Sequence, residues 1–166
     1  MAQRVDRRVW LLAAVFAAFL GYELAPRDER KILGLLDGLC EKLTRTRDSA
    51  TLAELQNAAA AAAAPSLLVR VTELAEGPRG LDDLMAWSRE LLTAPPLSFS
   101  LVDSEVHIEG AVARVRANLL VSERGSSEQH RDLRPTELSL HKSAGAWKIE
   151  SIVVQPTQPE KPEARP

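Results

Sequence analysis

The stretch HIEGAVARVRANLLV, residues 107–121, alternates small or apolar side chains with polar ones. The apolar set recurs at every second position from Ala111 to Val121. The polar residues between them are Arg114, Arg116 and Asn118. Successive strand residues point to opposite faces, so the pattern predicts a strand with one buried and one exposed face.

The residues before this strand fit a β-hairpin. Residues 109–110 (Glu-Gly) suit a two-residue turn, which would pair Ile108 with Ala111 and Val106 with Ala113. That register places Val106 and Ile108 on the face of the alanines, as a buried face requires.

The same register creates a conflict further back along the chain. It places Phe99 and Leu101 on the arginine face, beside Leu120. Either a β-bulge near Asp103 reverses the phase, or an apolar patch faces outward. We expect the bulge. The patch would allow Phe99, Leu101 and Leu120 to contribute to a homodimer through the sheet face.

Two helices are predicted before the sheet. The first has an apolar stripe at three- and four-residue steps, formed by Ile32, Leu35, Leu36, Leu39, Cys40 and Leu43. Cys40 lies on this stripe and is expected to be a core residue rather than a reactive thiol. The second opens at Thr51, with Glu54 completing a capping box, runs through the alanines of residues 58–64 and stops at Pro65.

The rest of the chain is predicted to add one helix and further strands, which gives an α+β order of elements. A strand is predicted at residues 66–74 and a third helix at 81–92, ended by two prolines. A fourth strand carries Leu133, Leu138 and Leu140, and a fifth, AWKIESIVV, is expected to place Trp147, Ile149 and Val153 together. The sequence therefore predicts three helices packed on one face of a curved, mostly antiparallel sheet.

Three segments resemble a known superfamily: GPRGLDDL (77–84), VHIEGAVARVRANL (106–119) and GAWKIESI (145–152). They are similar to the turn into the third helix, the central hairpin and the closing strand of nuclear transport factor 2-like proteins, which include SnoaL-like cyclases and ketosteroid isomerases. The resemblance covers residues 28–154 and implies a cystatin-like cone. The alanine-rich second helix departs from the family's pattern.

The N-terminal region has the composition of a membrane segment. Arginines precede an uncharged run from Val9 to Tyr22. The candidate cleavage point after Ala25 has Glu23 three residues before the cut and Pro26 immediately after it, and both should obstruct signal peptidase. We expect an uncleaved transmembrane or signal anchor at residues 9–25, with residues 1–8 cytoplasmic. A cleaved signal peptide and a buried helix of the domain remain open alternatives.

These assignments leave a domain at residues 28–154 on the periplasmic or extracytoplasmic side of the inner membrane. Residues 155–166 are rich in proline and lack large apolar side chains, so a disordered tail is predicted.

Charge and cysteine content exclude some classes of protein. The net charge is −2, from 21 basic and 23 acidic residues, which argues against nucleic-acid binding. Cys40 is the single cysteine, so neither an intrachain disulfide nor a thiolate metal cluster can form.

Two groups of polar residues are candidates for a site. His130, Asp132 and Arg134 share the parity of the inward leucines of the fourth strand, provided that Pro135 does not break it. They are the candidate ligand-binding residues.

The second group, Asp103, Glu105 and His107, shares one face of a strand. The hairpin register turns that face outward, where these side chains would meet Arg114 and Arg116. We expect solvated charges there rather than a metal site.

The expected function is that of a non-enzymatic, membrane-anchored domain that binds a partner protein or an apolar small ligand. No catalytic residue, metal or cofactor is assigned. The only tyrosine, Tyr22, lies in the anchor, and the first predicted strand is almost wholly apolar. The alternative is a small SnoaL-like enzyme of the cyclase, isomerase or dehydratase type that uses His130 and Asp132.

Overall fold

The computed structural model describes residues 27–73, 79–123 and 131–157. Within them the chain forms α1 (Arg27–Arg45), α2 (Ser49–Ala62), β1 (Ala63–Val71), α3 (Leu81–Ser88) with a 3-10 turn (Arg89–Leu92), β2 (Leu97–Glu109), β3 (Val112–Glu123), β4 (Arg131–Ser143) and β5 (Ala146–Val154). The predicted order of helices and strands is confirmed.

Helix α1 buries the predicted stripe. Ile32, Leu36 and Cys40 recur at four-residue steps and face the core, and Thr44 continues the series by one more turn. Because helical residues four apart lie on the same face, this spacing holds α1 flat against the sheet.

Helix α2 begins earlier than predicted. Asp48 is its N-cap, and its carboxylate accepts the backbone N–H of Thr51 at 2.8 Å. Thr51 is therefore the third helical residue, and its hydroxyl completes the capping box that the sequence assigned to Glu54.

The alanine run is divided between two elements. Ala62 ends α2, whereas Ala63 and Ala64 already belong to β1, and all three are buried. Pro65 accounts for the change, since a residue before proline is disfavoured in the helical conformation. β1 consequently begins at Ala63 and ends at Val71, three residues ahead of the predicted strand at each end.

The strands form one sheet in the order β1-β5-β4-β3-β2. β1 lies parallel to β5 and all other neighbours are antiparallel. The inner face of the sheet, which bears Val115 and Leu138, packs against residues of α1 such as Ile32 and Leu36. The face that bears Arg114 and Arg116 is the outer face.

The central hairpin has the predicted parity and a different turn. Ile108 pairs with Ala113 and Glu109 with Val112, so the turn residues are Gly110 and Ala111. The pairing is shifted by two residues from the prediction, because Gly110 rather than Glu109 opens the turn, with φ of +62°. A shift of two preserves the faces, so Val106 and Ile108 pack on the core as predicted.

The expected β-bulge in β2 is confirmed. Val102 pairs with Asn118 but Glu105 pairs with Arg116, which inserts one extra residue at Asp103, where φ is +53°. Phe99 and Leu101 thereby turn to the inner face. The alternative of an outward patch that includes them is wrong, and only Leu120 of that set remains on the outer face.

A second bulge corrects the prediction for β5. Leu140 pairs with Ile149, whereas Ser139 pairs with Ser151, so the phase of β5 changes at Glu150. Trp147 and Ile149 are buried as expected, but Val153 lies on the outer face.

No helix within residues 27–73, 79–123 and 131–157 is long and apolar enough to cross a membrane. The predicted anchor at 9–25, residues 1–8 and the tail from residue 158 onward lie outside the described residues.

Candidate functional site

An apolar pocket of about 350 Å³ lies between the helices and the inner face of the sheet. It is half-open to solvent, and its surface is almost entirely carbon. The lining residues come from all three helices, the 3-10 turn, β2 and β5: Leu39, Leu43, Leu55, Gln56, Ala59, Leu84, Met85, Trp87, Ser88, Leu91, Phe99 and Ile152.

Helical spacing brings the lining side chains together. Leu39 and Leu43 are four residues apart on α1, and so are Leu55 and Ala59 on α2. Each pair therefore presents one face to the same space. On the sheet side, Phe99 reaches the pocket only because the bulge at Asp103 turns it inward.

Two uncharged polar side chains of the lining are hydrogen-bonded to the protein. The Gln56 Nε2 amide donates to the Met85 carbonyl at 3.2 Å and to Ser88 Oγ at 3.0 Å. The Ser88 hydroxyl donates to the Met85 carbonyl at 2.8 Å. These bonds join α2 to α3 and leave neither group's hydrogens directed at the pocket.

Trp87 also lines the pocket and is in contact with Arg79. The Arg79 guanidinium lies 5.5 Å from the centre of the Trp87 ring, within the range of a cation–π contact. Arg79 also exchanges two backbone hydrogen bonds of 2.7 Å with Val69 of β1. The segment that leads into α3 is thus attached to the edge of the sheet.

The structure brings two of the three predicted site residues together. Arg134 Nε donates to Asp132 Oδ2 at 2.6 Å, and Arg134 Nη1 donates to Glu73 Oε2 at 2.7 Å. The hydroxyl of Thr157 donates to Asp132 Oδ1 at 2.5 Å. His130, the third predicted residue, lies outside the described residues.

This network fixes the charge of its members. The hydrogen bond from Thr157, followed by that from Arg134, lowers the pKa of Asp132 below its usual 3.8. The Asp132 carboxylate in turn raises the pKa of Arg134. Asp132 is therefore an ionised partner in an ion pair, which makes it a weak proton acceptor.

None of the residues of this network lines the pocket. Asp132 pairs with Val121, and Val121 pairs with Phe99, so all three lie in one row across the inner face. Since neighbouring strands are about 4.8 Å apart, Asp132 is about 10 Å from Phe99 across the sheet. Sequence parity predicted the face of Asp132 and Arg134 correctly but did not place the pocket beside them.

The pocket itself was not predicted from the sequence. Its leucines belong to the predicted apolar faces of the helices. A sequence pattern shows which face of a helix is apolar, but it does not show where neighbouring apolar faces leave an unfilled space between them. Ser88 was the available signal, because it is a polar residue at a position of the third helix that otherwise faces the core.

The second predicted group behaves as solvated charge. Glu105 lies opposite Arg116 and His107 opposite Arg114 on the outer face, and all four are exposed. Asp103 lies in the bulge and accepts the Asn118 amide at 3.3 Å. Among the described residues no group of three or more histidine, cysteine, aspartate or glutamate side chains could hold a metal ion.

Cys40 is a core residue, as predicted. It is buried against the sheet, and that burial, with a contribution from Asp37, raises its pKa to about 11. A thiol with so high a pKa is protonated at neutral pH and is a poor nucleophile.

Comparison with known proteins supports the fold and leaves the family undefined by sequence. No protein-family model matches the chain, and no curated protein matches it. Solved structures do match. One is a cystatin-like protein of Nostoc punctiforme, with a TM-score of 0.63 and 15% identity over 84% of this chain and 97% of that one.

Two further structures show the same relationship. An NTF2-like protein of Novosphingobium aromaticivorans has a TM-score of 0.63 and 16% identity, covering 90% of this chain and 92% of that one. The CaMKII hub homology domain of Chlamydomonas reinhardtii has a TM-score of 0.62 and 14% identity, covering 79% and 99%. At these identities the likeness establishes the fold alone: the chain is an α+β protein with the cystatin-like, NTF2-like fold.

Proposed function

We propose that this protein is a non-enzymatic binding module whose pocket takes an apolar small ligand or the apolar side chains of a partner protein. The observation that carries the proposal is the almost wholly carbon surface of a pocket of about 350 Å³. Ligand sites of folded proteins are typically apolar clefts of about 300–1,000 Å³. Each methylene group transferred into such a site contributes about 0.8 kcal/mol.

The enzymatic alternative has less support. Acid–base catalysis near neutral pH needs a carboxyl or imidazole whose pKa is brought toward the working pH. The pocket lining contains no ionisable carboxyl, histidine or lysine side chain. Asp132, the carboxylate of that hypothesis, has its pKa moved in the opposite direction.

A membrane location is part of the proposal. Its support is the apolar composition of residues 9–25, flanked by Arg7 and Arg8 on one side and Arg27 on the other. The described core is built from residues 32–149. We therefore propose that residues 9–25 anchor the domain to the inner membrane with the domain on the extracytoplasmic side.

Alkaline extraction of membranes from cells that produce the full chain tests the anchor. We expect the chain to stay with the membrane pellet at alkaline pH. Release into the supernatant, or removal of the first residues from the mature chain, would contradict it.

Self-association through the outer face is a further element. Glu105, Arg116 and Glu137 alternate in charge across three strands. The exposed Leu133 and the partly exposed Leu120 add apolar area. A two-fold dimer would bring this same face of each copy together, so that carboxylates of one copy could meet Arg116 of the other. A hub homology domain is among the structural neighbours, which is compatible with this arrangement.

The pocket is tested by a pair of alanine substitutions on α2. Ala59 lines the pocket, whereas its neighbour Ala60 is exposed. We expect Ala59→Phe to fill the pocket and to abolish binding of the neutral probe N-phenyl-1-naphthylamine. Ala60→Phe adds the same ring outside and should retain it.

Both variants are measured as full chains in the same solubilising medium. The fluorescence of probe that partitions into the solubilising medium is then the same in both titrations and cancels in their difference. Equal probe binding by the two variants, with both folded by circular dichroism, would refute the pocket as a binding site.

A further inference from the structure

We infer that the ligand portion held in the pocket is a flexible hydrocarbon chain, of the acyl or isoprenyl type, rather than a ring system that carries polar substituents. This inference rests on the proposed function and specifies the chemical class of ligand for the same site.

The pocket wall exposes few polar atoms, because its surface is almost entirely carbon. The Gln56 amide donates to the Met85 carbonyl and to Ser88 Oγ, and the Ser88 hydroxyl donates to the Met85 carbonyl. The remaining exposed surface is almost entirely carbon. A polar group of a ligand that is buried against this carbon surface would lose its bonds to water without replacement.

The lining of the pocket consists largely of flexible aliphatic side chains. Leucine and methionine side chains make up half of it: Leu39, Leu43, Leu55, Leu84, Met85 and Leu91. Methionine is unbranched and adapts to irregular shapes, so Met85 can follow a chain that bends. The two aromatic walls, Trp87 and Phe99, belong to α3 and β2 and come from opposite layers of the fold.

The opening of the pocket leaves room for a polar end of the ligand. The pocket is half-open, so a head group attached to the chain can stay in water while the chain is buried. The affinity of the site therefore depends on the length of the hydrocarbon chain, and the head group stays outside the pocket. The hydrocarbon chain of a free amphiphile and that of a membrane lipid share this chemistry.

The test is a displacement series on the full chain. A set of 1-alkanols of increasing length competes with N-phenyl-1-naphthylamine, and a rigid tricyclic ketone of similar volume is the comparison ligand. We expect the alkanol Kd to fall by about fourfold for each added methylene until the pocket is full, and then to stay constant. The ketone should compete weakly.

A variant that enlarges the pocket tests whether the pocket volume sets the chain length at which the affinity stops rising. Met85→Ala should move the constant region of the series to longer chains, whereas Ala60→Phe should leave the series unchanged. A chain-length plateau set by the solubilising medium would not move with Met85→Ala.

A direct contact measurement uses the tryptophan fluorescence of the wild-type chain and one conservative variant. Bromine on the chain quenches tryptophan fluorescence on contact, so a terminally brominated alkanol should quench the wild-type chain through Trp87. Trp87→Phe should remove the quenched component. A vesicle arm with brominated phospholipid distinguishes the sources: quenching through Trp87 there indicates a bilayer lipid, and its absence indicates a free amphiphile.

The possible outcomes separate the two proposals. If the probe binds in an Ala59-dependent way but the alkanol affinities do not rise with length, or the ketone competes equally well, the hydrocarbon inference is overturned and the binding module stands. If the probe shows no Ala59-dependent binding, both proposals fall.

Discussion

Thr44 on α1 and Phe99 on β2 are joined by two hydrogen bonds. The Phe99 backbone N–H donates to Thr44 Oγ1 at 2.8 Å, and the Thr44 hydroxyl donates to the Phe99 carbonyl at 3.3 Å. β2 is an edge strand, so these backbone groups have no neighbouring strand to bond. The threonine takes the place of that strand and fixes Phe99, which lines the pocket.

Replacing this hydroxyl should destabilise the fold. Thr44→Val keeps the shape but leaves the Phe99 N–H and carbonyl without partners in a largely buried place, so we expect a loss of about 1–3 kcal/mol. Thr44→Ser retains the hydroxyl and should lose less. Urea unfolding measures both, and equal losses for the two variants would show that the hydroxyl is unimportant.

The bulge in β2 should depend on the residue at its centre. Asp103 adopts φ of +53°, a region that β-branched residues avoid, so Asp103→Val should cost about 1–2 kcal/mol. Asp103→Asn should be nearly neutral because asparagine tolerates this conformation. The control is Ser104→Val, at the neighbouring exposed position. A loss as large in that control would mean that strand packing, not φ, is responsible.

The turn between β4 and β5 offers a stabilising substitution. Ala144 and Gly145 both have positive φ, +48° and +82°, which is the conformation that Asn-Gly favours in two-residue hairpins. We expect Ala144→Asn to raise the melting temperature and to add about 1 kcal/mol of stability. Ala111→Asn, in the other hairpin turn, is the control and should add little, since Ala111 does not have positive φ. A gain in the control alone would contradict the argument.

The ion pair between Asp132 and Arg134 predicts a pH dependence of stability. The pKa of Asp132 is lower in the folded chain than its ordinary 3.8, so its contribution to stability is present above that pH and is lost as pH falls through the folded value. Because the side chain is 37% exposed, we expect Asp132→Asn to cost at most about 1 kcal/mol at neutral pH. The difference from the wild type should shrink below pH 3.8.

Unfolding measured across this pH range checks the prediction. Glu137→Gln removes a more exposed carboxylate, 3.6 Å from Arg116, and should cost less at neutral pH. A difference between wild type and Asp132→Asn that grows as the pH falls would contradict the assigned direction.

Most of the fold could be predicted because it depends on local patterns. The two-residue period of β3 and the four-residue period of α1 indicate which faces are buried, without knowledge of the elements that pack against them. The conflict at Phe99 even indicated the bulge at Asp103. The predictions that failed were boundaries and phases set by single residues: Asp48 rather than Thr51 caps α2, and a bulge at Glu150 sends Val153 outward.

The site was predictable only in part. Parity placed Asp132 and Arg134 on the inner face, but their ion pair draws on Glu73 and Thr157, which are 61 and 25 residues distant along the chain. No local pattern contains such a pairing. The pocket depends likewise on the distance at which α2 and α3 are held apart, which the Gln56–Ser88 hydrogen bond helps to set.

The sequence by itself determined the order of the elements, most of the buried faces and the apolar character of the interior, since these follow from periodicity and composition. Only the tertiary structure decided that Asp132 is ion-paired rather than poised as a base, and that three apolar helix faces meet around a space. Both are outcomes of how distant elements pack, because the neighbours of a side chain, not its place in the chain, set its charge and its exposure.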